Sequence, residues 1–294
     1  MFKSGFVAII GRPNVGKSTL LNCIAGQKIA IMTAKPQTTR NVIRAVYNDA
    51  ESQIVFLDTP GIHKPKNELG KYMVESAKKT LEDVEVVLFM VDDSTEIGPG
   101  DRFIIEELSQ IKTPVIVVVN KLDLINPDDF KVLYDTYSAM PFVSDVIGVS
   151  AISAGNVDGL IKLIKSHLVE GPKYFPDDVV TDQIEREMAA EIIREKLLMY
   201  LNDEIPHGVA VVIDRFSERT NKPLVDIDAT IVCEKKSHKG IVIGKGGSKL
   251  KGIGKASRQD MENLLGVKVN LKIWVKVREN WRNSKAQLKH YGYQ

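Results

Sequence analysis

Apolar and polar positions follow two regimes along the chain. Up to about residue 168, unbroken apolar runs of strand length occur at 6–10, 114–119 and 146–149, and another fills the interior of 85–92 between Glu85 and Asp92. A run without alternation is what a strand covered on both faces requires. Stretches able to form helices lie between them, at 19–25, 68–81, 100–111 and 157–168, the last clearly amphipathic. This order predicts βαβ units and an α/β fold. The runs 42–47 and 52–57 break the pattern: only Asn48-Asp49-Ala50-Glu51 separates them, which reads as a hairpin. The sheet is therefore expected to be mostly parallel with one antiparallel strand.

Past residue 170 the regime changes. Residues 170–178 hold two prolines, a glycine and paired acids, the composition of a linker. A long helix is predicted over 182–201, then strands over 208–214 and 225–232. The second alternates from Val225 to Asp228, as a half-exposed strand does. Two shorter helices flank 244–247, and 267–277 reads as a strand of alternating lysine and apolar residues. The expected domains are 1–170, a linker over 171–181, and an α+β domain over 182–294.

Composition is that of a soluble globular protein, with 44% hydrophobic and 27% charged residues. Cys23 and Cys233 lie far apart and suggest neither a disulfide framework nor a cysteine zinc site, so a reducing, cytoplasmic setting is expected. No run reaches the length of a membrane span, and the N-terminus becomes a strand too early for a signal peptide. The net charge of +2 conceals an asymmetry: residues 231–294 contain 15 Lys+Arg and 4 Asp+Glu. The C-terminal quarter is a candidate polyanion-binding surface.

Candidate chemistry begins where the first strand ends. Gly11-Arg12-Pro13-Asn14-Val15-Gly16-Lys17-Ser18, followed by Thr19, fits G-x-x-x-x-G-K-[S/T] between a strand and a helix. Loop N–H groups and the helix dipole make this an anion trap, Gly11 and Gly16 supplying geometry that a Cβ would obstruct. Lys17 can reach the β- and γ-phosphates, and Ser18 can offer its hydroxyl to Mg²⁺. Asp58-Thr59-Pro60-Gly61 leaves a buried strand beside this loop, where Asp58 would hold the ion and the Gly61 N–H would meet a γ-phosphate. Asn120-Lys121-Leu122-Asp123 leaves another strand end, the usual ligand edge of a doubly wound sheet. The Asp123 carboxylate can accept from the N1–H and 2-amino groups of guanine, which adenine lacks. Asn120 would brace the site, Lys121 would lie along the base plane, and the Ala151 N–H, after Ser150, would meet the guanine O6.

Taken in order, these motifs resemble those of translation-factor-class P-loop GTPases over about 6–168. The resemblance makes Thr38-Thr39-Arg40 a switch-one motif and Thr39, ahead of Thr38, a Mg²⁺ ligand beside Ser18 and Asp58. GTP/GDP and Mg²⁺ are the implied cofactors, with Lys17, Thr39 and Gly61 acting in hydrolysis. The segments 34–40 and 62–68 are polar and irregular, and would be ordered by a γ-phosphate.

The element order of 182–294, helix, strand, strand, helix, helix, strand, with Ile243-Gly244-Lys245-Gly246-Gly247 and Lys249 where the two shorter helices meet, resembles a KH domain of the bacterial, type II topology. In KH domains such a G-x-x-G loop clamps the backbone of single-stranded RNA. Lys251 and Lys255 add positive charge beside it. Trp281 and Tyr291 are candidates for base stacking, with core packing open for Trp281. A P-loop GTPase joined to such a domain resembles the Era family over essentially the whole chain. That resemblance implies a monomer that holds single-stranded small-subunit ribosomal RNA and assists assembly of the small ribosomal subunit, with peripheral contact to the inner membrane face. Two rival readings are a membrane-linked signalling GTPase and an RNA-binding assembly factor whose nucleotide is structural.

The position after Asp58-x-x-Gly61 is Ile62, which cannot orient a water as the glutamine of Ras-like GTPases does. Charge would then come from a partner in trans or from K⁺. Asn14 leaves two readings open: its side-chain oxygen coordinates K⁺, as in potassium-activated relatives, or it braces its own loop. Arg40 lies near switch one with its direction undetermined.

Overall fold

Alternate residues of β1 (Lys3–Gly11) enter two different hydrophobic clusters, Val7 and Ile9 in one, Ala8 and Ile10 in the other. That is why this strand reads as an unbroken apolar run. The structure is a computed structural model and describes the chain except for Ala34, Pro36, Gln37, His63, Lys64 and Gln294. Two compact units divide it, one of Met1–Pro65 and Gly70–Asp182, the other of Lys66–Leu69 and Gln183–Gln294.

In the first, β1 is followed by α1 (Lys17–Ala25), β2 (Ile43–Asn48), β3 (Ser52–Asp58), α2 (Glu68–Thr80, which belongs to this unit from Gly70 on), β4 (Val86–Val91), α3 (Pro99–Leu108), β5 (Val115–Val119), α4 (Pro127–Ser138), β6 (Val143–Gly148) and α5 (Val157–His167). The sheet order is β2-β3-β1-β4-β5-β6, with β2 antiparallel to β3 and every other pair parallel. The parallel strands therefore end on one edge, which brings Gly11, Asp58, Asp92 and Asn120 together.

Helix α4 was not among the expected elements, although its signals are local. Asn126 caps it, accepting from the Asp129 N–H at 2.9 Å, Pro127 fills the first position, and Leu133 and Tyr137 are its buried residues. The segment expected as a linker is fastened to the first unit. Buried Gln53 accepts from the N–H groups of Tyr174 (2.6 Å) and Phe175 (2.9 Å) and donates to the Phe175 carbonyl (2.8 Å). Further along, the Val46 N–H donates to the Val180 carbonyl at 2.8 Å, and Arg44 pairs with Asp182 at 2.6 Å.

The second unit runs α6 (Glu185–Tyr200), β7 (Val209–Glu218), β8 (Leu224–Cys233), α7 (Lys236–Ile243), α8 (Ser248–Leu265), β9 (Lys268–Val277) and α9 (Lys285–His290). Its sheet is β7-β8-β9, antiparallel then parallel, with Ile193, Leu197, Ile227, Ile231, Ile253 and Met261 in the core. This is the predicted α-β-β-α-α-β order, with α9 added. Trp281 is fully buried, donates from its indole Nε1 to the Gly208 carbonyl at 3.1 Å, and packs against Tyr291 and Tyr293. It is a core residue and does not stack on bases.

Candidate functional site

Between β1 and α1 the chain turns through backbone conformations that favour glycine. Gly11 has φ 155° and Gly16 φ 102°; a Cβ at Gly11 would lie 2.4 Å from the Met90 carbonyl oxygen, and one at Gly16 2.1 Å from Asn120 Nδ2. A cavity of about 230 Å³ opens above the loop, lined among others by Pro13, Asn14, Lys17, Ser18, Thr39 and Gly61. Lys17 is buried and its amine donates to the carbonyls of Gly11 (3.0 Å) and Arg12 (2.9 Å). Burial pulls its pKa down to about 8 in spite of Asp58.

The three residues assigned to Mg²⁺ converge beside Lys17. Ser18 Oγ donates to Asp58 Oδ2 at 2.7 Å, Thr39 Oγ1 lies 3.2 Å from the same oxygen, and the two hydroxyls are 3.0 Å apart. Asp58 is fully buried, its pKa raised by that burial even with Lys17, Ser18 and Thr39 opposing, and its Oδ1 has no partner among the described residues. Two hydroxyls and one carboxylate with an unused buried oxygen are hard donors of the kind Mg²⁺ takes. The donor set fits the ion.

Other predicted residues contribute differently from the expectation. Arg12 turns its side chain away into a two-carboxylate clamp, with Nε 2.7 Å from Asp101 and an Nη 2.9 Å from Asp92, so the loop offers backbone here. The Thr59 hydroxyl donates to the Ile9 carbonyl at 2.9 Å and serves to fix the strand end. Pro60 is buried, and Gly61 packs against Pro13, where a Cβ would meet the Pro13 nitrogen at 3.1 Å. The Ile62 side chain lies in the hydrophobic cluster with Ile10 and Val55. Arg40 is buried at 1% exposure, which answers its direction: it points inward. Asn14 has φ 69°, a left-handed conformation that asparagine tolerates. Of the two segments expected to respond to a γ-phosphate, Ala34, Pro36, Gln37, His63 and Lys64 lie outside the described residues.

At the neighbouring strand ends, Asn120 ties three loops together. Its Nδ2 donates to the Val15 carbonyl at 2.8 Å, and its Oδ1 accepts from the Ala151 N–H at 3.0 Å. The Ala151 N–H, expected on the guanine O6, is thus held by Asn120. Asp123 sits in an exposed 3₁₀ turn, its carboxylate fixed by the Ser150 hydroxyl at 2.5 Å, which in turn accepts from Ser153. Lys121, at φ 63°, reaches Asp93 at 3.0 Å. Asp92, Asp93 and Asp101 were not legible as site residues, because only the tertiary fold sets them beside Arg12 and Lys121.

In the second unit, α7 ends at Gly244 (φ 74°), where a Cβ would lie 2.7 Å from Lys249 Cβ. Gly246 (φ 59°) and Gly247 (φ 77°) face open space, and Lys245 and Gly246 are exposed. Beside this loop a groove of about 640 Å³ runs between α8 and β9. Lys251, Lys255 and Arg258 form a basic rim over an apolar floor of Leu250, Leu271 and Ile273. Arg258 and the floor were missed in the sequence; the alternation of 267–277 held the signal, since Leu271 and Ile273 are the apolar half of that strand.

Residues 6–121 match the family model described as 50S ribosome-binding GTPase, and residues 204–282 match that of the KH domain. The GTPase Era of Clostridioides difficile strain 630 is 58% identical over 294 residues, covering 100% of this chain and 99% of that protein. The chain belongs to the Era family of GTPases. A solved Era structure, in complex with MgGDPNP and nucleotides 1506–1542 of 16S ribosomal RNA, has a TM-score of 0.96 at 41% identity, covering 100% of this chain and 99% of the other. A variant of Aquifex aeolicus Era bound to GDP·AlF4⁻ has a TM-score of 0.95 at 41% identity, with 99% of each chain covered. As an Era GTPase the chain hydrolyses GTP to GDP and phosphate, and the phosphate loop of its first unit is joined to a KH domain in its second. Among its described residues, no helix is long and apolar enough to cross a membrane.

Proposed function

We propose that this Era GTPase is a molecular switch that binds a single-stranded segment of small-subunit ribosomal RNA in its KH groove and assists assembly of the small ribosomal subunit. The observation that carries the reading is the groove itself, an apolar floor under a basic rim opening at the GKGG loop. Unpaired bases need an apolar floor, and a backbone needs glycine and positive charge. An anionic lipid surface would call on the lysines but not on the floor, so RNA is the better occupant. The solved relative that carries an RNA segment supports the same choice.

In the first unit, Lys17 exchanges its two loop carbonyls for the β- and γ-phosphates, where its charge and the loop N–H groups offset the charge of the transferring phosphoryl group. Ser18, Asp58 and Thr39 hold Mg²⁺, which supplies charge neutralisation at the phosphate oxygens. Because Thr39 belongs to switch one, its contact with Ser18 and Asp58 makes that segment responsive to the nucleotide. The Gly61 N–H serves the γ-phosphate, and Asp123, held by Ser150, selects guanine. With Ile62 in the core, no side chain at that position orients the attacking water. K⁺ near Asn14 is the reading we favour for the missing charge, since the left-handed turn at Asn14 lies in the lining of the cavity.

The test uses the full chain with Lys245→Asp and Gly246→Asp together. Affinity for single-stranded RNA should fall about 100-fold or more, since charge repulsion replaces charge-assisted contact. Intrinsic GTP hydrolysis should stay near wild type. Unchanged RNA affinity would refute the groove reading.

A further inference from the structure

Strand β9 has two faces, and the groove uses one. Leu271 and Ile273 face the groove and pack against the core, whereas Lys272, Trp274 and Lys276 are exposed on the opposite face of the same strand. Trp274 is 47% exposed, a large apolar ring left in solvent, in contrast to the fully buried Trp281. β9 is an edge strand, paired only with β8 in its sheet, so the two faces meet at an open edge. Among the described residues neither Lys272 nor Lys276 makes an ion pair.

The surroundings on this face are mixed in charge. The register sets Asp228, Thr230 and Val232 of β8 beside Lys272, Trp274 and Lys276. Asp226 is already held by Arg219 at 2.7 Å and by Asn270 at 2.7 Å, and Asp214 accepts from Thr230 at 2.6 Å. Asp228 is the carboxylate left beside Lys272. An exposed indole between two lysines at a spacing of two residues matches the layout of a single strand of nucleic acid, in which bases stack while phosphates follow the cations.

We propose that Lys272, Trp274 and Lys276 form a second contact for single-stranded RNA, receiving the nucleotides that leave the groove and turn over the β9 edge. This rests on the groove reading above and extends it by continuity across one strand. The RNA bound would then be longer than the roughly four nucleotides a G-x-x-G loop clamps.

The test compares a single-stranded RNA of about five nucleotides, enough for the groove, with the same RNA extended by about six at both ends. Trp274→Ala should weaken the extended RNA about 10-fold, the scale of one base–aromatic stack, and leave the short one unchanged. Trp274→Tyr should restore most of the loss, because a smaller aromatic face still stacks. The extended RNA, and not the short one, should quench tryptophan emission, since Trp281 is shielded. Wild-type affinity of Trp274→Ala for the extended RNA, or equal weakening of both RNAs, would overturn the second contact while leaving the groove intact. Full binding of the short RNA by the Lys245→Asp, Gly246→Asp protein would instead overturn the groove reading and this extension with it.

Discussion

The two anion-binding loops differ in their surroundings. At the phosphate loop, Gly11 and Gly16 let strand and loop backbones close on one another, and Lys17 and Asp58 are both enclosed, at 7% and 0% exposure. At the GKGG loop, Gly246 and Gly247 face open space and the cations beside them stand in solvent. Enclosed charges interact strongly and are little screened, which suits a small ligand held in one geometry. Exposed charges along a groove suit a polymer whose many phosphates each contribute a weak, salt-dependent contact. Glycine serves both sites, but in the first it permits packing and in the second it leaves room for a ligand.

The largest effect that would sharpen this contrast is on base selection. Asp123→Asn replaces an acceptor with a donor, so discrimination for GTP should fall by roughly 10⁴-fold, the scale for a site matched to a polar group. Xanthosine triphosphate, with an acceptor at that position, should bind better than in the wild type. Unchanged GTP affinity in competition binding would remove Asp123 from the base site.

A smaller effect tests the source of catalytic charge. Hydrolysis in KCl should exceed that in matched NaCl by roughly 10-fold, below the 10³–10⁵ of an arginine finger. Asn14→Asp should abolish the difference while GDP still binds. Equal rates in the two salts would point to a partner acting in trans.

The smallest effect is a proton. Burial lowers Lys17 from 10.5 to about 8, and bound phosphates favour its charged form, raising the value again. Above pH 8 most of the nucleotide-free protein lacks a proton that the complex needs, so GDP binding at pH 8.5 takes up part of a proton and affinity falls as pH rises. Near pH 6.5 this uptake vanishes. Calorimetry in two buffers of different ionisation enthalpy reads the difference; release of a proton at pH 8.5 would contradict the assignment.

Much of this was legible along the chain because the chemistry is local. The strand, Gly11–Ser18 and helix α1 are contiguous, and Asp58 and Asn120 each end an apolar run, so their meeting follows from a parallel sheet. What was not legible depends on partners far apart in sequence. Arg12 stands in the phosphate-loop motif, and only the fold brings Asp92 and Asp101, 80 and 89 residues away, to hold its side chain. Ala151 reads as a base contact until Asn120 takes its N–H. The groove floor went unread for another reason: Leu271 and Ile273 look like ordinary strand core, and only the gap beside α8, where Gly254 carries no side chain, exposes them. Helix α4, by contrast, carries its start signal locally in Asn126-Pro127.

The most direct test of the contrast is to measure both affinities on one protein across salt. Binding of Mg·GDP and of single-stranded RNA is titrated from 50 to 400 mM KCl, at fixed Mg²⁺ and pH. Three or four phosphate contacts should give the RNA a slope of log affinity against log salt of roughly −2 to −3, at about 0.7 per contact for a single strand. GDP affinity should change by no more than about 3-fold over the same range, because its charges meet buried partners. A flat RNA titration, or a GDP slope as steep as that of the RNA, would contradict the account.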